Sequence, residues 1–295
     1  MCQDKNFGFV STYQGIYPEN MFVGKWLIKK IMYVAMPKKR PSDNMELSPD
    51  LPQEEEFAMG NTTGHSHYNF WFFPKNWRQI YKKFIAFEGV PKSVETEWKE
   101  GYQTLMKKAL LSSKGKRFIS KNPPNTGRIK QILDMFPNAK FIFIYRDPIK
   151  TFVSTNPFVK KTIELPKLQD ISNQEIKENI YWQYKQLMHS YLDNKSLIPS
   201  KNLIEIKFEE FEKNPVEKLG EIYNQLEIEG FDAIKPTFDK YIESKKTYKK
   251  NDYKIPLETK LETYKHWEFA FKEWKYDYPE LSNKIKKTEF ETLLA

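Results

Sequence analysis

The run KFIFIYRDPIKTFVS, residues 140–154, sets an arginine and a serine eight residues apart around an Asp-Pro pair. Arg146 closes an apolar stretch, and its guanidinium carries a rigid fork of donors that suits a phosphate. Asp147 and Pro148 have the residue types of a helix N-cap and a first helical position. A helix N-terminus adds free N–H groups and a positive dipole end, which also favour an anion. Ser154 falls about 9 Å along such a helix, at about 1.5 Å per residue. An arginine and a hydroxyl placed this way can grip one phosphate between them. The plainer alternatives are an Arg146 paired with Asp147 or another acid, and a Ser154 that is merely a polar helix position.

Other groups could supply the reaction itself. Lys121 ends the run KRFISK. Glu54, Glu55 and Glu56 follow a proline-rich loop and precede apolar residues, so one of them could serve as a general base. Three glutamates at a helix start also complement the helix dipole with no further role. His65 and His67 have an imidazole whose ordinary pKa suits base work near neutrality. No third ligand cluster accompanies this His-x-His pair, so a zinc site is not expected. Lys249, Lys250 and Asn251 form a basic loop that reads equally well as solvated surface.

These residues need elements to hold them. FGFVSTY (7–13) reads as a strand, and residues 18–36 as a helix with basic and apolar faces. Helical periodicity returns at 75–85 and 93–113. KRFISK (116–121) reads as a strand; Ile129, Ile132, Leu133 and Phe136 then repeat at the spacing of one helix face. KFIFIY (140–145) has no polar alternation and reads as a doubly buried strand. Strand, helix and strand with short connections predict a βαβ unit with parallel strands. Lys121 and Arg146 would then stand at the C-terminal edge of one sheet, where ligands of open α/β folds bind. A long helix at 173–193, a strand beginning at 202 and a helical last third complete the pattern. No linker divides the chain, so residues 1–295 are expected to form one α/β domain with helical insertions.

Composition narrows the function. The formal net charge is +9, yet only five of the 48 basic residues are arginines. That spread of lysine argues against nucleic-acid binding and fits solvated surface with a modest field for small anions. A single cysteine, Cys2, excludes a disulfide framework and points to a reducing, cytoplasmic setting. The most apolar segment, residues 21–36, contains Lys25, Lys29 and Lys30 and is too short and charged to span a bilayer. It could lie against a membrane or an amphiphilic acceptor, although packing against the sheet is the simpler account.

The run FISKNPPNTGRIKQILDMFPNAKFIFIYRDPIKTFVS (118–154) resembles the sulfotransferase family. FGFVSTYQ, SDNMELSPDLPQEEEFAM, IKFEEFEKNP and YKKNDYKIP are similar, in order, to segments of its bacterial members, so the resemblance runs from residue 3 to about 280. It implies a P-loop NTPase-like fold, a three-layer parallel sheet flanked by helices. It also implies transfer of a sulfonate from 3′-phosphoadenosine 5′-phosphosulfate to a hydroxyl without metal. The acceptor could be a small molecule, a lipid or a glycan. Arg146 and Ser154 would bind the donor's 3′-phosphate, and Lys249, Lys250 and Asn251 would close over the nucleotide. Lys121 would stabilise the transferred group. The run Glu54 to Glu56, similar to a Gln-Glu-Asp-Glu-like run of the family, would supply the base or position the acceptor; His65 stays a candidate by residue type alone. Family members also carry a Gly-rich loop of the Arg-Ser-Gly-Thr-Thr kind that cradles the 5′-phosphosulfate. The residues around Met1-Cys2-Gln3 correspond to the helix after that loop, and the glycines at 60, 64, 89, 101, 115 and 127 form no such pattern. The expectation is therefore an N-terminally truncated fold with little or no activity as this chain alone. The alternative is a non-catalytic remnant or interaction protein that keeps the 3′-phosphonucleotide grip.

Overall fold

The first strand, β1, ends after Phe7–Gly8. The computed structural model of the protein, which describes residues 1–40, 45–245 and 254–277, shows why. Ser11 and Gln14 form a reciprocal capping box that starts α1 (Thr12–Ile16), so the expected strand over 7–13 is only two residues long. Residues 18–36 are likewise not one helix. A 3₁₀ turn at Pro18–Asn20 and Gly24 in the left-handed region (φ 72°) precede α2 (Lys25–Ala35). The next helices are α3 (Glu55–Thr62) and α4 (Trp77–Tyr81), which widens into a π turn at Lys82–Ala86. α5 (Lys92–Ser113) follows.

β2 (Arg117–Phe118) pairs in parallel with β1, Phe7 opposite Arg117 and Gly8 opposite Phe118. Gly115 allows this approach, since a Cβ there would stand 2.4 Å from the Gly8 nitrogen. β2 is shorter than the expected strand over 116–121, because the side chains of Ser120 and Asn122 turn to carboxylates of α3. Lys121 therefore lies in the turn beyond the strand. A 3₁₀ segment, Pro123–Gly127, leads into α6 (Ile129–Met135) and then β3 (Phe141–Tyr145). α7 (Pro148–Glu164) and α8 (Asn173–Asn194) come next. The chain returns through β4 (Leu203–Lys207), α9 (Phe208–Lys213), α10 (Pro215–Gln225), α11 (Phe231–Ser244) and α12 (Leu257–Glu273).

β4 runs parallel to β3 over its whole length, Phe141 opposite Leu203 through to Tyr145 opposite Lys207. Alternate residues face opposite sides, as a pleated strand requires. Phe141, Phe143 and Tyr145 pack into a core with Phe152, Ile163, Ile180, Tyr181 and Trp267 of α7, α8 and α12. Ile142, Ile204 and Ile206 enter a second core with Leu219, Ile222 and Phe238 of α10 and α11, which also takes Phe7 and Ile119. Helices thus cover both faces of parallel strands, a three-layer α/β arrangement. Among the described residues the four strands form two ladders, β1–β2 and β3–β4. β3 pairs on one side only and is not doubly buried: Ile144 is 47% exposed.

Candidate functional site

Glu54 is the N-cap of α3, yet its carboxylate does not cap the helix. One oxygen, Oε1, accepts from Lys121 Nζ, and the other, Oε2, accepts from the Tyr68 hydroxyl. The pair is asymmetric in exposure. Lys121 is 78% exposed and Glu54 17%, so the carboxylate is enclosed while the ammonium stands at the surface. Burial, followed by the Glu54 charge, holds the Tyr68 phenol well above its ordinary pKa, so Tyr68 stays a donor. Tyr68 stacks on Trp71, and Phe57 meets both rings edge-on at 5.2 Å. A half-buried aromatic wall therefore flanks the carboxylate.

The next two glutamates turn the other way. Glu56 is fully buried against the equally buried Arg128. Its Oε1 accepts from Arg128 Nη1 and, at 3.2 Å, from Asn122 Nδ2. Its Oε2 accepts from Ser66 Oγ at 2.9 Å and from the His67 N–H at 2.7 Å. Burial is the strongest influence and pushes the pKa up, but the charge and hydrogen bond of Arg128, with the contributions of His67, together hold the carboxyl below its ordinary pKa. Arg128 also donates from Nε (2.8 Å) and Nη2 (2.5 Å) to the Phe84 carbonyl and lies 4.6 Å over the Trp98 ring. Among the described residues no cation pairs with Glu55. It accepts from Ser120 Oγ at 2.8 Å, and burial pushes its pKa up to about 8. Asn125 ties this group together, donating to Tyr102 Oη (2.8 Å) and Ser120 Oγ (3.1 Å). Three adjacent glutamates thus hold three different environments: an oriented carboxylate facing an exposed lysine, a neutral buried acid, and a buried ion pair.

The histidines lie elsewhere. His65 stands 3.5 Å from Glu97 and against the Phe84 ring, not among the partners of Glu54 and Lys121. His67 is buried, bonded through Nε2 to Gln183 Oε1 at 2.8 Å, and burial lowers its pKa to about 4. That makes it a neutral packing residue near neutrality.

Arg146 follows β3 directly. Asp147 caps α7, its Oδ1 accepting from the N–H groups of Ile149 (2.8 Å) and Lys150 (3.2 Å). The other nearby acid, Glu209, is engaged by the Asp147 N–H at 3.1 Å and the Tyr276 hydroxyl at 2.8 Å. Arg146 rests 4.7 Å over the Phe208 ring, and its Nε is buried without a hydrogen-bond partner among the described residues. A buried guanidinium N–H with no acceptor fits an anion as its missing partner. Ser154 lies on α7, its hydroxyl donating to the Thr151 carbonyl at 3.0 Å. Lys249, Lys250 and Asn251 lie outside the described residues. A cavity of about 430 Å³ borders α7 between Phe152, Val153 and Asn156, with Lys177, Lys254 and Glu262 across it.

Sequence reasoning missed Arg128, Ser120 and the bond of Tyr68 to Glu54; YNFWFF, which begins at Tyr68, reads in sequence only as core or as the apolar wall of an acceptor pocket. The three residue types are unremarkable in sequence; only pairing across 72, 65 and 14 positions gives them roles.

Comparison with known proteins bears on the family and the fold. Residues 34–233 match the sulfotransferase family. The chain is 27% identical over 266 residues to the omega-hydroxy-beta-dihydromenaquinone-9 sulfotransferase Stf3 of Mycobacterium bovis, covering 90% of this chain and 68% of the relative. The Stf3 protein of Mycobacterium tuberculosis matches equally. Among solved structures, sulfotransferase STF9 from Mycobacterium avium superposes with a TM-score of 0.70 at 15% identity, over 95% of this chain and 73% of that one. Sulfotransferase STF1 from Mycobacterium tuberculosis does so with a TM-score of 0.61 at 12% identity, over 80% and 65%. These two likenesses establish the fold, and the match over 34–233 establishes more: the chain belongs to the sulfotransferase family.

Proposed function

We propose that the chain moves a sulfonate from 3′-phosphoadenosine 5′-phosphosulfate to a hydroxyl on a lipid, with Glu54 as base and Lys121 at the transferring group. The observation that carries this reading is the Glu54–Lys121 pair, in which the carboxylate is held by two donors and largely buried while the lysine is largely exposed. The acceptor oxygen attacks sulfur in line. The bond from sulfur to the 5′-phosphate oxygen breaks, and its electron pair leaves with adenosine 3′,5′-bisphosphate. The hydroxyl proton passes to Glu54 Oε1 once Lys121 has swung from that oxygen to the sulfonate, where its charge offsets the negative charge that builds up. Tyr68 holds Oε2 throughout and keeps the carboxylate aimed. Glu56 orients the start of α3 instead of acting as base, because Arg128, Ser66, Asn122 and His67 satisfy both its oxygens. His65, directed at Glu97, takes no part. Arg146 and Ser154 hold the 3′-phosphate, and the unpartnered Arg146 Nε supports that role.

Two observations support a lipid acceptor. The aromatic wall of Phe57, Tyr68 and Trp71 stands beside Glu54, and the similar Stf3 proteins are named for a hydroxylated menaquinone. The test is a single-turnover transfer from labelled donor, with residues 1–295 in excess so that slow transfer is still read. Label should reach a long-chain prenyl alcohol and not a free hexose, and Glu54→Gln should abolish it. Labelling of the hexose alone, or a Glu54→Gln variant as fast as its parent, would contradict the proposal.

A further inference from the structure

The amphipathic helix α2 is oriented inside out. The stripe it turns toward the protein is Lys25, Ile28, Lys29, Met32 and Met36, of which only Met32 is buried. The lysines on that stripe are bonded to the body: Lys25 Nζ to Ser112 Oγ at 2.9 Å, and Lys29 to Asp50. Tyr33 adds a second bond to Asp50. The apolar side chains face water. Trp26 is 69% exposed, Leu27 57%, Ile31 58% and Val34 89%, with Phe22 at 55% and Val23 at 79% just before the helix. A surface helix of a globular protein has the opposite orientation. A contiguous exposed patch of this kind marks a binding surface.

Charge identifies what covers it. Residues 20–40 contain six basic residues and no acid. Lys30 lies on the outer face, its ammonium 3.9 Å above the Trp26 ring, and Lys38 and Lys39 are exposed past the helix end. An apolar centre flanked by Lys30, Lys38 and Lys39, with the neighbouring acid Asp50 already paired to Lys29, matches an anionic lipid surface. A second copy of the same face would set lysines against lysines. α2 has 11 residues, about 16 Å at about 1.5 Å per residue, far short of a bilayer's core of about 30 Å. Among the described residues no helix is long and apolar enough to cross a membrane. We propose that α2 docks the protein on an anionic membrane, lying in the interface with Trp26, Leu27 and Ile31 inserted. The inference rests on α2 alone and stands independently of the donor and base assignments. It also has a functional corollary: Asp50, which holds α2, is four residues from Glu54, so docking would bring a lipid surface close to the proposed base.

Flotation of the full chain with vesicles tests it. The chain should rise with phosphatidylcholine vesicles containing phosphatidylglycerol, rise little with phosphatidylcholine alone, and bind less as salt increases. The triple variant Trp26→Ser, Leu27→Ser, Ile31→Ser changes only outward side chains, so its circular dichroism should match the parent. Its affinity for mixed vesicles should fall by roughly 100-fold. Lipids brominated on their chains should quench part of the tryptophan emission, and Trp26→Phe should remove that part. Failure of the full chain to float, or equal floating of the triple variant, would overturn the proposal. So would a self-association, read by light scattering, that the triple variant abolishes, since a second copy would then cover the face.

Discussion

Replacing Arg128 by methionine removes the cation paired with Glu56 and leaves that carboxyl without it in a sealed site. Both side chains are fully buried. The substitution keeps apolar volume over Trp98 but deletes the Glu56 ion pair and both bonds to the Phe84 carbonyl. Breaking a buried pair from one side costs about 3–5 kcal/mol, against a total stability of about 5–15 kcal/mol for a protein. At about 3 kcal/mol per molar urea, a 4 kcal/mol loss moves the unfolding midpoint down by more than about 1 M. The pH dependence separates this cause from a mere packing defect. In the parent, Glu56 is held below its ordinary pKa, so it stabilises the fold above the usual carboxylate range and that contribution is lost as pH falls. Without Arg128, burial dominates and raises the Glu56 pKa, so the variant loses stability as pH rises. The gap between parent and variant must therefore widen from pH 4 to pH 7, and Glu56→Gln added to Arg128→Met should recover much of it. Urea titrations followed by circular dichroism at both pH values read this directly. A gap that is constant with pH, or no gain from the second substitution, would refute the buried-pair reasoning.

Other outcomes follow from the neighbouring groups. Glu55 has the opposite sign: its pKa is pushed up to about 8, so its stabilising effect is complete below the unfolded value near 4.5 and is lost as pH rises to about 8. Glu55→Gln, which can keep the Ser120 bond, should flatten the stability profile across that window in thermal melts. Lys121→Ala should leave the melting temperature nearly unchanged, since the lysine is largely exposed, while transfer falls by roughly 100-fold or more. Tyr68→Phe frees one Glu54 oxygen and should slow transfer by a smaller factor, about 10-fold, with donor binding untouched.

The elements of the expected βαβ unit were legible because their signals are local, but their pairing was not. Among the described residues β2 and β3 fall in separate ladders, β1–β2 and β3–β4, and not side by side in one sheet that sets Lys121 and Arg146 on a shared edge. The apolar spacing of Ile129, Ile132 and Leu133 marked α6, and Asp147-Pro148 marked the start of α7 where it is observed. The signal for the early end of β1 was also local: Ser11 and Gln14 have capping-box spacing, but the β-rich residues around them were read first. The orientation of α2 was not local. Its two faces are plain in sequence, yet Ser112 and Asp50 decide which one turns inward, and they lie far along the chain. The same holds for the glutamates. Only tertiary pairing with Lys121, Ser120 and Arg128 separates Glu54, Glu55 and Glu56 into three chemical roles.

Equilibrium binding of two nucleotides tests the assignment of the donor site most directly. Adenosine 3′,5′-bisphosphate and adenosine 5′-monophosphate differ only in the phosphate assigned to Arg146 and Ser154. The parent chain should prefer the bisphosphate, and Arg146→Ala should lose about 2–3 kcal/mol for it, roughly 30–150-fold, with no change toward the monophosphate. An Arg146→Ala variant that binds the bisphosphate as tightly as the parent would contradict the account.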